Sequence, residues 1–276
     1  MNGYAERLTL HLTTYRAARL AVDEPGIFRH KGIDLEYDHI LPMGLKWLNL
    51  LEPFRMEIRR HLDAHPEVRL HKFFHHLNSS QAFALNLFYP FFQEGGSENL
   101  IRALGREGSV ASWCPEYVPD AQEGTNVDMA WRDRGGSWTH CEVKLSEQGF
   151  GSAKHDQRHE EKLTAIYGPV LRPYCPPELL EPPTFFANYQ ILRNVWLAAN
   201  DEHASVLFLM PRENERLWAP LQSVIRVLTP DLSERIHVVA VEDVLTTLAG
   251  DHSLPARLRC QAELLVEKYL PAGSTN

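Results

Sequence analysis

Two short apolar segments joined by a glycine turn constrain this chain more than any other feature. Residues 125–132 and 138–145 read as strands, and Arg134-Gly135-Gly136-Ser137 between them reads as a hairpin turn. Strand side chains alternate, so Asn126, Asp128 and Ala130 share one face while Val127, Met129 and Trp131 share the other. On the second strand His140, Glu142 and Lys144 share a face, opposite Cys141, Val143 and Leu145, which are expected to meet the core. Ionised groups are costly in such strands unless paired or bound to a metal, so Asp128, Glu142 and Lys144 need a reason to be there.

Register decides whether the two acids can act together. Residues opposed across an antiparallel hairpin share a face, so Asp128 meets Glu142 only where paired residue numbers sum to an even value near 270. That condition centres the turn on Gly135. A two-residue Gly135-Gly136 turn would set Asp128 opposite Val143, so a joint site requires an odd-length loop or a bulge. Two carboxylates can hold a hard cation such as Mg²⁺ or Mn²⁺, with substrate phosphate oxygens among its remaining ligands. Such a cation polarises phosphorus and supplies hydroxide, while a lysine beside it stabilises developing charge or orients the attacking water. The bland alternative is a Glu/Lys pair on the solvent face of an edge strand.

Around the hairpin the pattern is α/β. Residues 44–62 place Leu48, Leu51, Ile58 and Leu62 near helical spacing with Arg55, Arg59 and Arg60 outside, and Pro66 follows. Ser79 and Ser80 precede the apolar run 82–89, a helix N-cap signal, with Pro90 expected to close that helix. A short helix is expected over 97–104, a strand over 110–114, a helix over 185–199 and a strand over 205–210. Beyond these, 215–227 and 255–270 read as helices and 236–241 as a strand. The prolines at 173, 176, 177, 182 and 183 mark one long loop.

A chain of 276 residues buries roughly 70–75% of its unfolded surface and needs no crosslink to stand. Its cysteines at 114, 141, 175 and 260 match neither paired-thiol zinc spacing nor a disulfide frame, which points to a reducing cytoplasm. Glu6, Arg7, Arg16, Arg19, Asp23 and Glu24 interrupt the first thirty residues, so neither a secretory signal nor a membrane partner is expected. The net charge of −8 excludes the broad positive field of a non-specific nucleic-acid coat. Residues 77–210 hold 10 Lys and Arg against 17 Asp and Glu, so the carboxylates concentrate around the hairpin.

With these residues in hand, the chain resembles the PD-(D/E)xK nuclease superfamily, whose core is helix, three strands, helix, strand. More closely, Asn78-Ser79-Ser80-Gln81-Ala82 with Asn86-Leu87-Phe88, then Glu142-Val143-Lys144-Leu145-Ser146-Glu147 with Phe150-Gly151, resemble a bacterial restriction-endonuclease family over residues 41–210. The resemblance implies a restriction-endonuclease-like α/β core: a helix, a three-strand antiparallel meander, a helix and a strand, with helical additions at both ends. The chain is expected to divide into a partly helical N-terminal extension, 1–76, packed on a nuclease-like core, 77–276. It implies phosphodiester hydrolysis, with Asp128 and Glu142 as metal ligands and Lys144 as the catalytic lysine. Mg²⁺ or Mn²⁺ is the cofactor, nucleic acid, foremost DNA, the partner, and a homodimer an allowed assembly. Val127 stands where the motif has proline. Many members carry a glutamine on the helix after the hairpin, and Gln190 is the candidate, sharing a helical face with Arg193 and Asn194. Asn194 fills the tyrosine position of the related Q-x-x-x-Y pattern, so that subgroup is not implied. The alternative from another class is a non-catalytic nucleic-acid or protein-binding module on the same fold.

Other residues compete for attention. Ser80 and Gln81 could orient phosphate at a helix N-terminus, and Glu147 could support a second metal, though a cap and a strand end are the plainer readings. His71, His75 and His76, or His155 and His159 beside Glu160 and Glu161, could bind zinc on a helix, but neither group matches H-E-x-x-H. The dense aromatics Phe73, Phe74, Phe83, Phe88, Tyr89, Phe91 and Phe92 read as core rather than a base-stacking platform. No phosphate-binding P-loop and no nucleophile-elbow serine is present. Arg55, Arg59, Arg60, Arg69 and Lys72 are the expected phosphate contacts flanking the acidic centre.

Overall fold

The computed structural model describes residues 3–271. The chain is α/β, with a five-stranded mixed sheet, a two-stranded antiparallel sheet and helices. It divides into two compact units: Ala111–Val239, and the residues up to Val110 together with those from Ala240 onward. The segments 77–110 and 240–271 thus join the N-terminal residues rather than the hairpin, a partition different from a cut at residue 76. Among the described residues no helix is long and apolar enough to cross a membrane.

The five-stranded sheet runs in the order β3-β4-β5-β6-β7, with strands Val110–Tyr117, Val127–Asp133, Trp138–Val143, Ala204–Met210 and Ile236–Ala240; β1 and β2 are Gly26–His30 and Ile33–Tyr37. β4 and β5 are antiparallel, pairing Met129 with Cys141, Ala130 with His140 and Trp131 with Thr139, so the paired numbers sum to 270. The loop is odd, as a shared face for Asp128 and Glu142 requires. Asp133 N–H donates to Ser137 O at 3.0 Å and Gly136 N–H to Asp133 O at 3.1 Å, with Gly136 at φ +94°, where a side chain would be strained.

β5 and β6 are parallel, pairing Glu142 with Phe208 and Val143 with Leu209. A parallel pair needs a crossover, and residues 157–200 supply it as a succession of short helices ending in Tyr189–Asn200. The expected helix over 185–199 breaks in two at Asn188, whose φ of −106° and ψ of 23° leave the helical region. Its side-chain Nδ2 donates to Thr184 O at 3.0 Å, closing the first piece, and Tyr189 opens the second. Both faces of the central strand are covered, so the face of His140 and Glu142 is as buried as that of Cys141 and Val143.

In the other unit, β1 and β2 form a hairpin through Lys31 and Gly32, both at positive φ. The expected helix over 44–62 is shorter. Met43–Asn49 and Glu52–Phe54 are 3₁₀ turns and the α-helix begins only at Arg55, because Leu50 and Leu51 are extended and Pro53 starts a new element. Ser79 caps the next helix as expected, its Oγ accepting from Ala82 N–H at 3.3 Å. That helix, Ser80–Gln93, does not stop at Pro90. Proline lacks the N–H that would bond to Asn86 O, and Gln261 Nε2 donates to that carbonyl instead at 2.7 Å. The helix passes through its proline because a distant side chain satisfies the freed acceptor.

Candidate active site

β5 is the middle strand of five, which removes the edge-strand reading of Glu142 and Lys144. They are 4% and 8% exposed, so their charges must be compensated within the protein. Glu142 Oε1 accepts from Lys144 Nζ at 2.7 Å. Its Oε2 accepts from Arg193 Nη2 at 3.0 Å and from Asn194 Nδ2 at 3.2 Å. Arg193 and Asn194 lie on the helix that starts after the Asn188 break, which turns this part of its surface onto the Glu142 face of the sheet.

Asp128 sits across the hairpin on β4. Its Oδ2 accepts from Val143 N–H at 2.7 Å, and among the described residues no cation pairs with it, while part of its surface stays open. Burial, with the Glu142 carboxylate beside it, pushes Asp128 well above the usual carboxylate range. Burial pushes Glu142 the same way, but Lys144 and Arg193 outweigh it and hold Glu142 below its ordinary value. Burial acts to lower Lys144, and Glu142, Asp128 and Glu147 together raise it, so the amine stays charged. The two acids are therefore unlike: one is fully compensated, the other exposed to its neighbour's repulsion.

The remaining sequence candidates fall into different places. Gln190 Oε1 accepts from Gly151 N–H at 2.8 Å and Gln190 N–H donates to Gly151 O at 3.1 Å, so its amide fastens the loop after β5. A Cβ at Gly151 would stand 2.9 Å from the Gln190 side chain, so a larger residue there would push the amide away from Gly151 N–H. Glu147 Oε2 accepts from Leu145 N–H at 2.6 Å, capping the strand end, and Asn214 Nδ2 holds the carbonyls of Leu145 and Glu147. Phe150 from the same loop lies 5.9 Å from Lys144 Nζ and edge-on to Phe208, which screens the ammonium from water on one side.

Behind the helix a second buried carboxylate does structural duty. Glu123 accepts from Thr125 Oγ1 at 2.6 Å and from Tyr167 OH at 2.5 Å, and Tyr167 OH is 2.9 Å from Tyr189 OH. Tyr167 closes a π-helical turn, Leu163–Tyr167, and Tyr189 opens the helix that carries Arg193. The loop before β4 and the helix facing Glu142 are thus tied to one carboxylate.

Ser80, Gln81 and the basic candidates belong to the other unit. Gln81 Oε1 accepts from His71 N–H at 2.8 Å and its Nε2 donates to Arg69 O at 2.9 Å, so this buried amide pins the chain before its helix. Arg59, Arg60, Arg69 and Lys72 are exposed, Arg59 lying over Trp47 and Lys72 over Phe73. Arg55 is half-buried, with Nε donating to Leu50 O at 2.9 Å. Among the described residues no group of three or more His, Cys, Asp or Glu is arranged to hold a metal ion, which includes both histidine groups.

Asp128 and Glu142 offer two carboxylates, and Mg²⁺ characteristically takes one or two carboxylates and completes its shell with water and phosphate oxygens. An uncompensated, part-open Asp128 beside a second acid fits such an ion. The spacing of Arg193 and Asn194 with Gln190 signalled a shared face, but nothing in the sequence named Glu142 as their target. The Glu123–Tyr167–Tyr189 tie left no local signal at all.

No curated protein and no solved structure matches the chain. A family model described as restriction endonuclease associating with ARP matches residues 9–270, nearly the whole length and both units, and the chain belongs to that restriction-endonuclease family.

Proposed function

We propose that this protein is a divalent-metal-dependent nuclease of the PD-(D/E)xK type that hydrolyses phosphodiester bonds in DNA. One observation carries the reading: Asp128 and Glu142 come from adjacent antiparallel strands in a register that gives them one face, with Lys144 bonded to Glu142 at 2.7 Å. Asp128 and Glu142 would hold Mg²⁺ or Mn²⁺, which when bound polarises the phosphoryl group and lowers the barrier to attack by water. Lys144 presents a charged ammonium that stabilises negative charge developing on the phosphate and orients the attacking water. Glu142 keeps that ammonium on the site face. Burial and the neighbouring Glu142 carboxylate disfavour the charge on Asp128, and a cation held between the two acids would favour it. Gln190 has a positioning part, holding the loop that carries Phe150 over Lys144. Gln81 and Glu147 act in support, through hydrogen bonds to the backbone, and Ser80 opens the helix that Ser79 caps. Arg59, Arg60, Arg69 and Lys72 supply phosphate contacts, with Arg55 contributing through its free guanidinium nitrogens. The family description names association with ARP, and we assign that association to this chain as well.

The test is a cleavage panel of single- and double-stranded DNA and RNA with Mg²⁺, Mn²⁺ and chelator. Metal-dependent cleavage by the wild type, abolished in an Asp128→Ala, Lys144→Ala double variant that binds substrate normally, is the expected result. Robust cleavage by that variant overturns the assignment, and binding without cleavage or metal effect favours a non-catalytic module on the same fold.

A further inference from the structure

At the centre of the sheet two acids, Asp128 and Glu142, stand with two cations, Lys144 and Arg193. Both cations, however, bond to the same acid. Lys144 occupies Glu142 Oε1 and Arg193 occupies Oε2, while Asp128 receives only the Val143 amide. Other carboxylates are spent nearby, Glu147 on Leu145 N–H and Glu116 on Asn126 Nδ2. The Arg193 and Glu142 side chains are 6% and 5% exposed, so solvent does little to screen their pairing or the repulsion Arg193 exerts on any cation entering beside Glu142. Asn194 approaches the same Oε2, and its own Oδ1 is buried without a hydrogen-bond partner, leaving an unused acceptor beside the ion pair.

We propose that Arg193 is a displaceable counter-ion: it occupies Glu142 in the free protein and competes with the divalent cation for that carboxylate. The site then loads metal weakly until an anionic substrate phosphate draws the guanidinium away, which couples metal uptake to substrate. The inference rests on the metal-dependent reading of Asp128 and Glu142 and adds how their loading is regulated. Lys144 cannot take this part, because the reaction needs its charge to stay. Arg193 belongs to a helix face whose other contacts, Gln190 with Gly151 and Tyr189 with Tyr167, hold without it.

The experiment is calorimetric titration of Mn²⁺ into the full chain, without nucleic acid, for wild type, Arg193→Gln and Arg193→Lys. Arg193→Gln should bind Mn²⁺ about tenfold or more tightly than wild type, because one positive charge has left the site, while Arg193→Lys keeps the charge and the weak affinity. Adding a phosphorothioate duplex that resists cleavage should tighten Mn²⁺ binding to wild type more than to Arg193→Gln. Equal or weaker affinity in Arg193→Gln, with wild type binding measurably, overturns the inference and leaves Arg193 as an orienting partner of Glu142. No Mn²⁺ binding by any variant, with or without duplex, overturns the metal-dependent reading itself. Should Arg193→Gln fail to fold, wild-type protein labelled with ¹⁵N-arginine gives the answer: the Arg193 Nε resonance should shift as Mg²⁺ is added, and binding of Mg²⁺ with that resonance unmoved refutes displacement.

Discussion

Neutralising the two central acids should change stability in opposite directions. Among the described residues Glu142 carries the one negative charge bonded to Lys144 and Arg193, whose side chains are 10% and 6% exposed. Glu142→Gln keeps the shape and leaves two buried cations facing each other. Breaking a buried pair by removing one partner costs about 3–5 kcal/mol, of which relief of Asp128 returns about 1 kcal/mol, for a net loss of about 2–4 kcal/mol. Asp128→Asn keeps an oxygen to accept from Val143 N–H and removes a repelled charge, a gain of about 1 kcal/mol. At roughly 2–4 °C per kcal/mol for chains near this size, calorimetry in chelator at neutral pH should show Asp128→Asn melting about 2–4 °C above wild type and Glu142→Gln about 4–16 °C below. The pH dependence follows the same signs. Asp128 lies above its ordinary 3.8, so the folded state binds its proton more tightly and this stabilisation is lost as pH rises through the folded value; Asp128→Asn should remove that slope. Glu142 lies below its ordinary 4.5, so its contribution is present above that value and lost as pH falls through the folded one. Equal destabilisation by both substitutions, or a neutral Glu142→Gln, would refute the picture of one compensated and one uncompensated acid.

Three further outcomes are expected. Lys144→Met should lower cleavage about 10²–10³-fold while Mn²⁺ binding in calorimetry persists, since the lysine stabilises charge rather than ligating. Tyr167→Phe removes a 2.5 Å hydrogen bond to buried Glu123 and should cost about 1.5–3 kcal/mol in denaturant unfolding, with a smaller cost for Tyr189→Phe, whose hydroxyl is 3.4 Å from that carboxylate. Replacing Arg55, Arg59 and Arg60 together by Ala should weaken DNA binding at low salt and flatten the log–log salt slope by about 0.9 for each lost contact; an unchanged slope moves the phosphate surface elsewhere.

The hairpin was readable because its information is local. Strand alternation fixes faces, and the Gly136 turn sets the sum of 270 that lets Asp128 share a face with Glu142. Ser79 as a cap was equally local. Local reading failed where a distant residue changed the rule. Pro90 should stop a helix, yet Gln261 satisfies the carbonyl it frees. The helix over 185–199 looked continuous, yet Asn188 folds back on Thr184 and restarts it, aiming Arg193 at Glu142. The hairpin of β1 and β2 was missed although Ile33-Asp34-Leu35-Glu36-Tyr37 alternates apolar and polar residues after the Lys31-Gly32 turn; the apolar side chains of that alternation, Ile33, Leu35 and Tyr37, are exposed rather than core-facing. At the site the residue types were legible and the partnerships were not. Gln190 carries the side chain the resemblance asks for, and the structure gives its amide to Gly151; Arg193 carried no motif and holds the central acid.

Crystals grown with Mn²⁺, with data collected at the manganese absorption edge, decide whether Asp128 and Glu142 hold a divalent cation. An anomalous peak is expected about 2.1 Å from oxygens of both Asp128 and Glu142, the reach of a hard divalent ion on carboxylates. Lys144 should stay at Glu142 while Arg193 withdraws from it. A peak absent from this face at saturating Mn²⁺, or bound by neither acid, would contradict the account.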